Sequence, residues 1–199
     1  MVTSKSVRAP LGFRRPLAAS GVLAFALVAP GACDDDPFAI PWEEAPDTVT
    51  LYSLARPELN LHSAFNFTSR RRVTVEAPLA TGVWDMAVDT RGGAIVLLPP
   101  GALGVYAARA RIATLNGVSF DEVTEAPIDT AAYVSREPVP VAMGNIYVVR
   151  TNQQTGVFGA QCVYYAKLEP LVIDPGGGTL TFVFDSNPVC NDPRLVPPD

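Results

Sequence analysis

Histidine and lysine are rare in this 199-residue chain. His62 is its only histidine, and Lys5 and Lys167 are its only lysines. The chain also has no G-x-S-x-G, H-E-x-x-H, Walker or G-x-G-x-x-G motif, which are the common local signatures of hydrolases, metalloproteases and nucleotide-binding enzymes. We therefore expect a protein that is not an enzyme, and we interpret His62 as a surface or hydrogen-bonded residue.

An excess of basic residues is also lacking. The chain has 15 Lys and Arg against 20 Asp and Glu, and four of the basic residues lie within the first 32 positions, which hold no acid. Nucleic-acid-binding proteins gain most of their affinity by placing Lys and Arg on phosphates, so we expect no nucleic-acid partner. The one basic run, Arg70–Arg72, is interpreted as a solvated loop or strand edge, with local anion binding as the alternative.

The uncharged apolar stretch of residues 17–30 is too short to span a bilayer. It follows the basic N-terminus and precedes Gly31, Ala32 and Cys33, which predicts a secretory signal peptide over residues 1–32. A cysteine in this place is similar to the lipobox of bacterial lipoproteins, where the thiol is acylated, although Pro30 stands where leucine is usual. The alternative is an ordinary soluble export signal.

Residues 33–47 are acidic and rich in proline, which predicts a tether between a lipidated Cys33 and a domain of residues 48–199. Two or three acyl chains hold a protein stably at a membrane surface. We therefore expect an exported protein of the bacterial cell envelope that contacts the membrane through its lipid anchor. The sequence leaves open which membrane and which face this is.

The chain has three cysteines, so two remain if Cys33 is acylated. Cys162 and Cys190 form an even pair in an oxidising compartment, which predicts a disulfide between them. A zinc site is the alternative, but two thiols without further Cys or His nearby are too few ligands.

Short runs of Val, Thr, Tyr and Phe recur between Gly, Pro, Asn and Asp, which is typical of an all-β domain. We expect a single antiparallel sheet or sandwich-like domain of about eight strands. The segment 103–113 has helical composition between turn residues and stays ambiguous. The eight predicted strands are Thr48–Leu54, Ala64–Thr68, Arg72–Glu76, Trp84–Asp89, Ala94–Leu98, Asn145–Thr151, Gln161–Glu169 and Thr179–Asp185.

The fourth predicted strand alternates Trp84, Met86 and Val88 with Asp85 and Asp89. This alternation predicts that Trp84 and Met86 lie on a buried face, and that the two acids face solvent. Near the C-terminus, residues 162–173 and 179–185 flank an Asp-Pro-Gly-Gly-Gly turn, which predicts an antiparallel hairpin. Cys162 and Cys190 would then lie at its open end.

Several of these strands resemble the HmuY-type haem-binding lipoproteins. The resemblance rests on Trp84–Asp89 with the glycine-containing loop after it, on Ile146–Thr151, on Tyr165–Leu168 and on Gly178–Phe182, in the order and spacing of that family. It implies an all-β, hand-like domain on a lipid anchor. It also implies haem as a ligand, held axially by paired histidines or, in some members, by methionine.

Few residues of this chain match the ligands that the resemblance implies. Met143, expected in a loop before the strand at Ile146, is the candidate ligand, whereas Met86 is expected in the core. A tyrosine phenolate is a further option, and the tyrosines considered are Tyr106, Tyr133 and Tyr147.

We expect a non-enzymatic binding module of the cell envelope, with haem as the ligand that the resemblance implies. The alternative is a structural or protein-interaction lipoprotein without a small-molecule ligand, in which the loops around 92–104 and 121–140 make the contacts.

Overall fold

The computed structural model describes residues 40–156 and 159–198. The predicted signal peptide over 1–32, Cys33 and the first part of the tether lie outside the described residues. The described residues form one compact unit, and every described strand lies within it. No helix in the described part of the chain is long and apolar enough to cross a membrane.

The fold is all-β, as predicted, and it consists of two antiparallel sheets in a sandwich-like arrangement with a small separate ribbon. The six-stranded sheet has the order β1-β13-β12-β9-β6-β7, the five-stranded sheet β3-β2-β4-β5-β8, and the ribbon pairs β10 with β11. The strands are β1 (Asp47–Tyr52), β2 (Ala64–Asn66), β3 (Arg71–Val73), β4 (Met86–Arg91), β5 (Ala94–Leu98), β6 (Arg111–Asn116), β7 (Tyr133–Val134), β8 (Val139–Pro140), β9 (Asn145–Arg150), β10 (Gln154–Thr155), β11 (Gln161–Cys162), β12 (Tyr165–Asp174) and β13 (Thr179–Ser186).

All eight predicted strands overlap strands of the structure, although Arg72–Glu76 shares only two residues with β3 and Gln161–Glu169 spans β11 and the first half of β12. The additional strands include β6, which starts inside the segment of ambiguous helical composition. Ile112, which faces the main core, and Ala113, which faces the opposite side of the sheet, are both fully buried, so packing on both faces outweighs the weak helical preference of the alanines and arginines before the strand.

The main core lies between the two sheets. Alternate residues of the long strands point inward, and four phenylalanines pack edge to face with ring centroids 4.8–6.2 Å apart. These are Phe65, Phe67, Phe182 and Phe184. Met86 is fully buried in this core, as the sequence predicts.

Each sheet also buries part of its outer face. Ala64, Ala87 and Trp84 form a cluster outside the five-stranded sheet. A second cluster outside the six-stranded sheet contains Val148 and is covered by apolar residues of the loop before β7 and by Leu195 of the C-terminal tail.

The predicted face of Trp84 is wrong. The side chain is buried, but it packs in the outer cluster rather than with Met86 and Val88 in the main core. The cause is that β4 begins only at Met86, so the alternation of the strand does not extend back to Trp84.

The predicted C-terminal hairpin and disulfide are both confirmed. β12 pairs with β13 from Ala166 opposite Ser186 to Asp174 opposite Thr179, with a bulge between Pro170 and Val172. Cys162 and Cys190 form a disulfide with their Cα atoms 5.0 Å apart.

The antiparallel pairings give the sandwich two distinct ends. The end at which the chain enters β1 is called the tether end; β4, β6 and β12 also begin there. The opposite end is called the far end, and it holds the turns after β1, β4 and β12.

Candidate binding surface at the tether end

The ligand residue expected from the sequence lies at the far end. Met143 is on the loop between β8 and β9, as predicted, and is 59% exposed. His62 is exposed, and its Nδ1 lies 3.0 Å from Oγ1 of Thr74, which confirms a hydrogen-bonded surface histidine. His62 stands beside β2 and Thr74, whereas Met143 follows β8, so the two occupy opposite edges of the five-stranded sheet.

These residues do not fit a haem iron that needs two axial side chains. β4 and β5 separate β2 from β8 in the sheet, and neighbouring strands lie about 4.8 Å apart, so about 14 Å separates the strands next to His62 and Met143. The other described methionine, Met86, is fully buried in the core. Nor do the described residues contain a group of three or more His, Cys, Asp or Glu placed to hold a metal ion.

The three tyrosines considered as haem ligands are not well placed for that role either. The Tyr147 hydroxyl is committed to the loop after β8, because it donates to the carbonyl of Pro140 and accepts from the amide of Ala142, both at 2.9 Å. Burial raises the pKa of Tyr133, which disfavours its phenolate. Tyr106 is exposed, and Arg136 lies over its ring.

The tether end is built around a buried carboxylate that the sequence predicted to be solvent-facing. Asp85 is fully buried, so that prediction is wrong. Its two oxygens accept hydrogen bonds from the backbone amides of Asn152, at 2.7 Å, and Phe67, at 2.9 Å. Asp85 thereby joins the end of β9 to the turn after β2, which belong to different sheets.

Asn152 extends this network. Its side-chain nitrogen donates to the carbonyl of Trp84, and its oxygen accepts from the amides of Arg109 at 2.8 Å and Ala110 at 3.0 Å. Four segments distant in the sequence are thus held together by one carboxylate and one amide. The hydrogen bonds from Arg109 and Ala110 to Asn152 fix the position of the segment before β6.

No described Lys or Arg forms a salt bridge with Asp85. Burial raises the pKa of Asp85 to about 6, and the two backbone donors only partly offset this effect. The other acid of the predicted solvent-facing pair, Asp89, lies near the far end and forms a salt bridge with Arg91.

A groove of about 490 Å³ opens beside this network. Asn152 lines it together with small and apolar residues of two loops and two glutamines. The remaining lining residues are Thr81, Gly82, Val105, Ala107, Ala108, Arg109, Gln153 and Gln161.

The two loops that form this groove also carry exposed apolar side chains. Leu79 is 94% exposed, Tyr106 is 68% exposed and Val83 is about half exposed. Leu79 has a φ of 68°, in the left-handed region, where a leucine costs roughly 1 kcal/mol. A strained and almost fully exposed leucine contributes nothing to the core.

The end of the tether is fixed to the sandwich beside this surface. Asp185 accepts from the amide of Ala45 at 3.1 Å and pairs with Arg70 at 3.2 Å, and Arg70 also donates to the carbonyl of Ala45. The guanidinium of Arg70 lies 4.6 Å from the ring centroid of Phe184. Arg70 is therefore partly buried and structural, whereas Arg71 and Arg72 are exposed as predicted.

Lys167 is a second buried charge that the sequence did not predict. It is 3% exposed, and its ammonium donates to the carbonyls of Phe120 at 2.9 Å and Val123 at 3.0 Å. Burial lowers its pKa. The lysine fixes the loop that covers the outer face of the six-stranded sheet, so its role is structural.

Comparison with known proteins finds no matching family model, no matching curated protein and no matching solved structure. The resemblance to the HmuY-type lipoproteins therefore stays a prediction from the sequence.

Proposed function

We propose that this protein is an exported lipoprotein, anchored through Cys33, whose β-domain is a non-enzymatic binding module that uses the tether-end groove. The observation that carries the binding role is Leu79, which is strained and almost fully exposed on a loop of that groove. The lipobox-like sequence before Cys33 supports the anchor.

The ligand class that this surface favours is an apolar group. Val105 and two alanines line the groove, and Leu79, Val83 and Tyr106 are exposed on its loops. Binding there would remove apolar surface from water, which is the main source of affinity for such ligands. No His, Met or Cys lines the groove, so the chemistry of its lining favours an apolar ligand over a metal-centred one.

The short tether gives this groove its place in the envelope. Only residues 34–39 separate Cys33 from the first described residue, and six residues span at most about 20 Å. An acylated Cys33 would therefore keep the tether end close to the membrane surface. Apolar molecules that leave or enter the bilayer would meet the groove first.

The ligand-binding half of the proposal can be tested with the neutral fluorescent probe N-phenyl-1-naphthylamine and the chain from Asp34 onward. We expect a saturable one-to-one rise in fluorescence that Leu79→Asn weakens several-fold. Ile128→Asn is the matched control, because Ile128 is 81% exposed but lies on the loop between β6 and β7, which contributes no residue to the groove. Equal binding by both variants would contradict the proposed site.

The same chain can be titrated with haemin, since the resemblance implies haem. A saturable shift of the Soret band that Met143→Ala weakens would place the ligand at the far end and overturn the tether-end proposal. We expect haemin uptake that does not saturate and that Met143→Ala leaves unchanged, because Met143 and His62 lie at opposite edges of the sheet.

The anchor is tested separately by growing cells with a labelled fatty acid. We expect the label on the full chain and its loss from Cys33→Ala. A labelled Cys33→Ala variant, or an unlabelled full chain, would contradict lipidation at this residue.

A second candidate function is a protein-interaction module of the envelope. One observation favours it: Ile128 is 81% exposed on the loop between β6 and β7, within the segment that the sequence suggested for such contacts. Loss of a cross-linked envelope partner from Ile128→Asn, with probe binding unchanged, would support this function over the groove.

A further inference from the structure

Arginines without a carboxylate partner collect at the tether end. Among the described residues, the salt bridges involve Arg56, Arg70, Arg91 and Arg194. None involves Arg109, Arg111, Arg136 or Arg150, although acids outnumber bases in the chain. The first three of these line one small groove, next to the larger one, together with Tyr106 and Ser135.

Each of the three arginines is held in place by a different contact. The backbone of Arg109 donates to the buried Asn152 side chain at 2.8 Å. Arg111 is the first residue of β6 and is fixed by its ladder with β9. The guanidinium of Arg136 lies 5.4 Å from the ring centroid of Tyr106, and this cation–π contact holds the guanidinium above the face of the ring.

Close backbone packing also supports this groove. A Cβ on Gly101 would lie 2.2 Å from the carbonyl oxygen of Ser135 and 3.3 Å from Cγ of Arg136. Only glycine therefore lets the turn at Gly101 approach the segment that carries Arg136. The groove is formed by the fold and does not depend on one mobile side chain.

The sheet places a further positive charge next to Arg111. Arg111 lies directly opposite Arg150 in the pairing of β6 with β9. Like charges directly opposite each other destabilise a sheet unless a counter-charge lies nearby. No Asp or Glu lines the groove, so the described residues supply no such counter-charge there.

The volume of the groove is about 70 Å³, whereas one water molecule occupies roughly 30 Å³ in the liquid. This space suits one small oxyanion and is too small for a ring system. Guanidinium groups match the geometry of phosphate and carboxylate oxygens, with which they form paired hydrogen bonds.

We propose that Arg109, Arg111 and Arg136 form a binding site for a phosphate or carboxylate group. The site deepens the proposed function and rests on it: Arg109 also lines the larger groove, so an apolar ligand bound there could place its anionic group on the three arginines. The ligand of the tether end is then an amphipathic anion. Its source is either a lipid headgroup of the nearby membrane or a soluble molecule.

The experiment is a calorimetric titration of the chain from Asp34 onward with inorganic phosphate at low ionic strength. We expect saturable binding that Arg111→Gln weakens by about tenfold or more, since one charge-assisted contact is lost. Arg136→Gln should give a similar loss of affinity. Because Arg136 lies in an exposed segment, this variant keeps the test valid if Arg111→Gln folds poorly. Arg72→Gln is the matched control, because Arg72 is exposed and forms no described salt bridge but lies outside the groove.

No saturable phosphate binding, or an equal loss from Arg72→Gln, would overturn the site. A second arm compares vesicles of phosphatidylglycerol with vesicles of phosphatidylcholine. Phosphatidylglycerol binding that free phosphate and Arg111→Gln both reduce identifies a lipid headgroup, whereas phosphate binding without vesicle binding identifies a soluble anion. The neutral probe of the larger groove carries no anion, so Arg111→Gln should leave its binding unchanged, and the two proposals can fail independently.

Discussion

The two ends of the sandwich differ in how their charged side chains are paired. At the far end, Arg56 pairs with Glu58 and Arg91 pairs with Asp89, and tight glycine turns connect the strands. At the tether end, apart from the Arg70–Asp185 pair, the described residues bury the Asp85 carboxylate without a cation and leave Arg109 and Arg136 exposed without an acid. The far end satisfies its own charges, whereas the tether end keeps charges that a ligand could satisfy.

Apolar exposure is less sharply divided between the two ends. Leu79 and Tyr106 are exposed on loops of the tether end beside a groove, whereas Leu59 and Met143 are exposed at the far end, at 68% and 59%. The turn between β12 and β13 at the far end consists of Asp174, proline and glycines, with Asp174 accepting from the amide of Gly177 at 2.8 Å. The feature that distinguishes the tether end is therefore the combination of a strained exposed leucine, a groove and arginines without an acid, and this combination is the reason to look for binding there.

Loss of the disulfide should be the largest single effect on the tether end. Cys162 and Cys190 are 28 residues apart, and the chain-entropy relation gives about 3–4 kcal/mol for a loop of this length. We expect the double variant Cys162→Ser and Cys190→Ser to lose that much unfolding free energy in urea. A loss below about 1 kcal/mol would show that other contacts hold this end together.

Asp85→Ala should destabilise the protein by about 2–4 kcal/mol at pH 5, because the buried amides of Phe67 and Asn152 lose their acceptor. Asp89→Ala is the control on the same strand near the far end; its partner Arg91 is partly exposed, so we expect about 1 kcal/mol or less. Urea denaturation measures both. Similar losses would remove the contrast between the two ends.

Stability should fall as the pH rises from about 4 to above 6. The pKa of Asp85 is raised from its ordinary value of 3.8 to about 6 in the folded protein, so the folded state holds this proton more tightly than the unfolded chain does. The stabilisation is complete below pH 4 and is lost as the pH passes through 6, by roughly 2–3 kcal/mol.

The comparison that isolates this effect is Asp85→Asn, which cannot titrate. Urea denaturation at several pH values should show a smaller slope between pH 4 and 6 in the variant than in the unmodified chain. Identical slopes would assign the pH dependence to other groups.

Gly156→Ala should have a smaller effect, of about 1–3 kcal/mol, because an added Cβ would lie 2.3 Å from Sγ of Cys162. Gly176→Ala at the far end is the control, since its added Cβ would meet only the Asp174 carboxylate at 3.5 Å. Thermal unfolding of both variants tests whether the tether end is the more tightly packed one. A larger loss from Gly176→Ala would reverse that ranking.

The sequence predicted those parts of the fold that local patterns determine. The β12–β13 hairpin follows from its turn residues and alternation, and the cysteine pair follows from the count of cysteines. Trp84 was placed on the wrong face because the pattern does not show that β4 begins two residues later.

The candidate site was not predictable in the same way. Asp85 is buried because its hydrogen-bond donors arrive from Phe67 and Asn152, the latter 67 positions away, and no local pattern reports this. The groove likewise joins loops from three separate segments. The arginine run at 70–72 did suggest anion binding, but the arginines that converge are Arg109, Arg111 and Arg136.

The burial of Lys167 has a practical consequence. Apart from Lys5, which lies in the predicted signal peptide, it is the only lysine of the chain, and it lies in β12 between β9 and β13. In the chain from Asp34 onward, a lysine-specific protease can cut only when this central strand leaves its sheet. The rate of that one cleavage therefore reports opening of the whole domain, and amine-reactive dyes or coupling resins will find no accessible side chain on the folded protein.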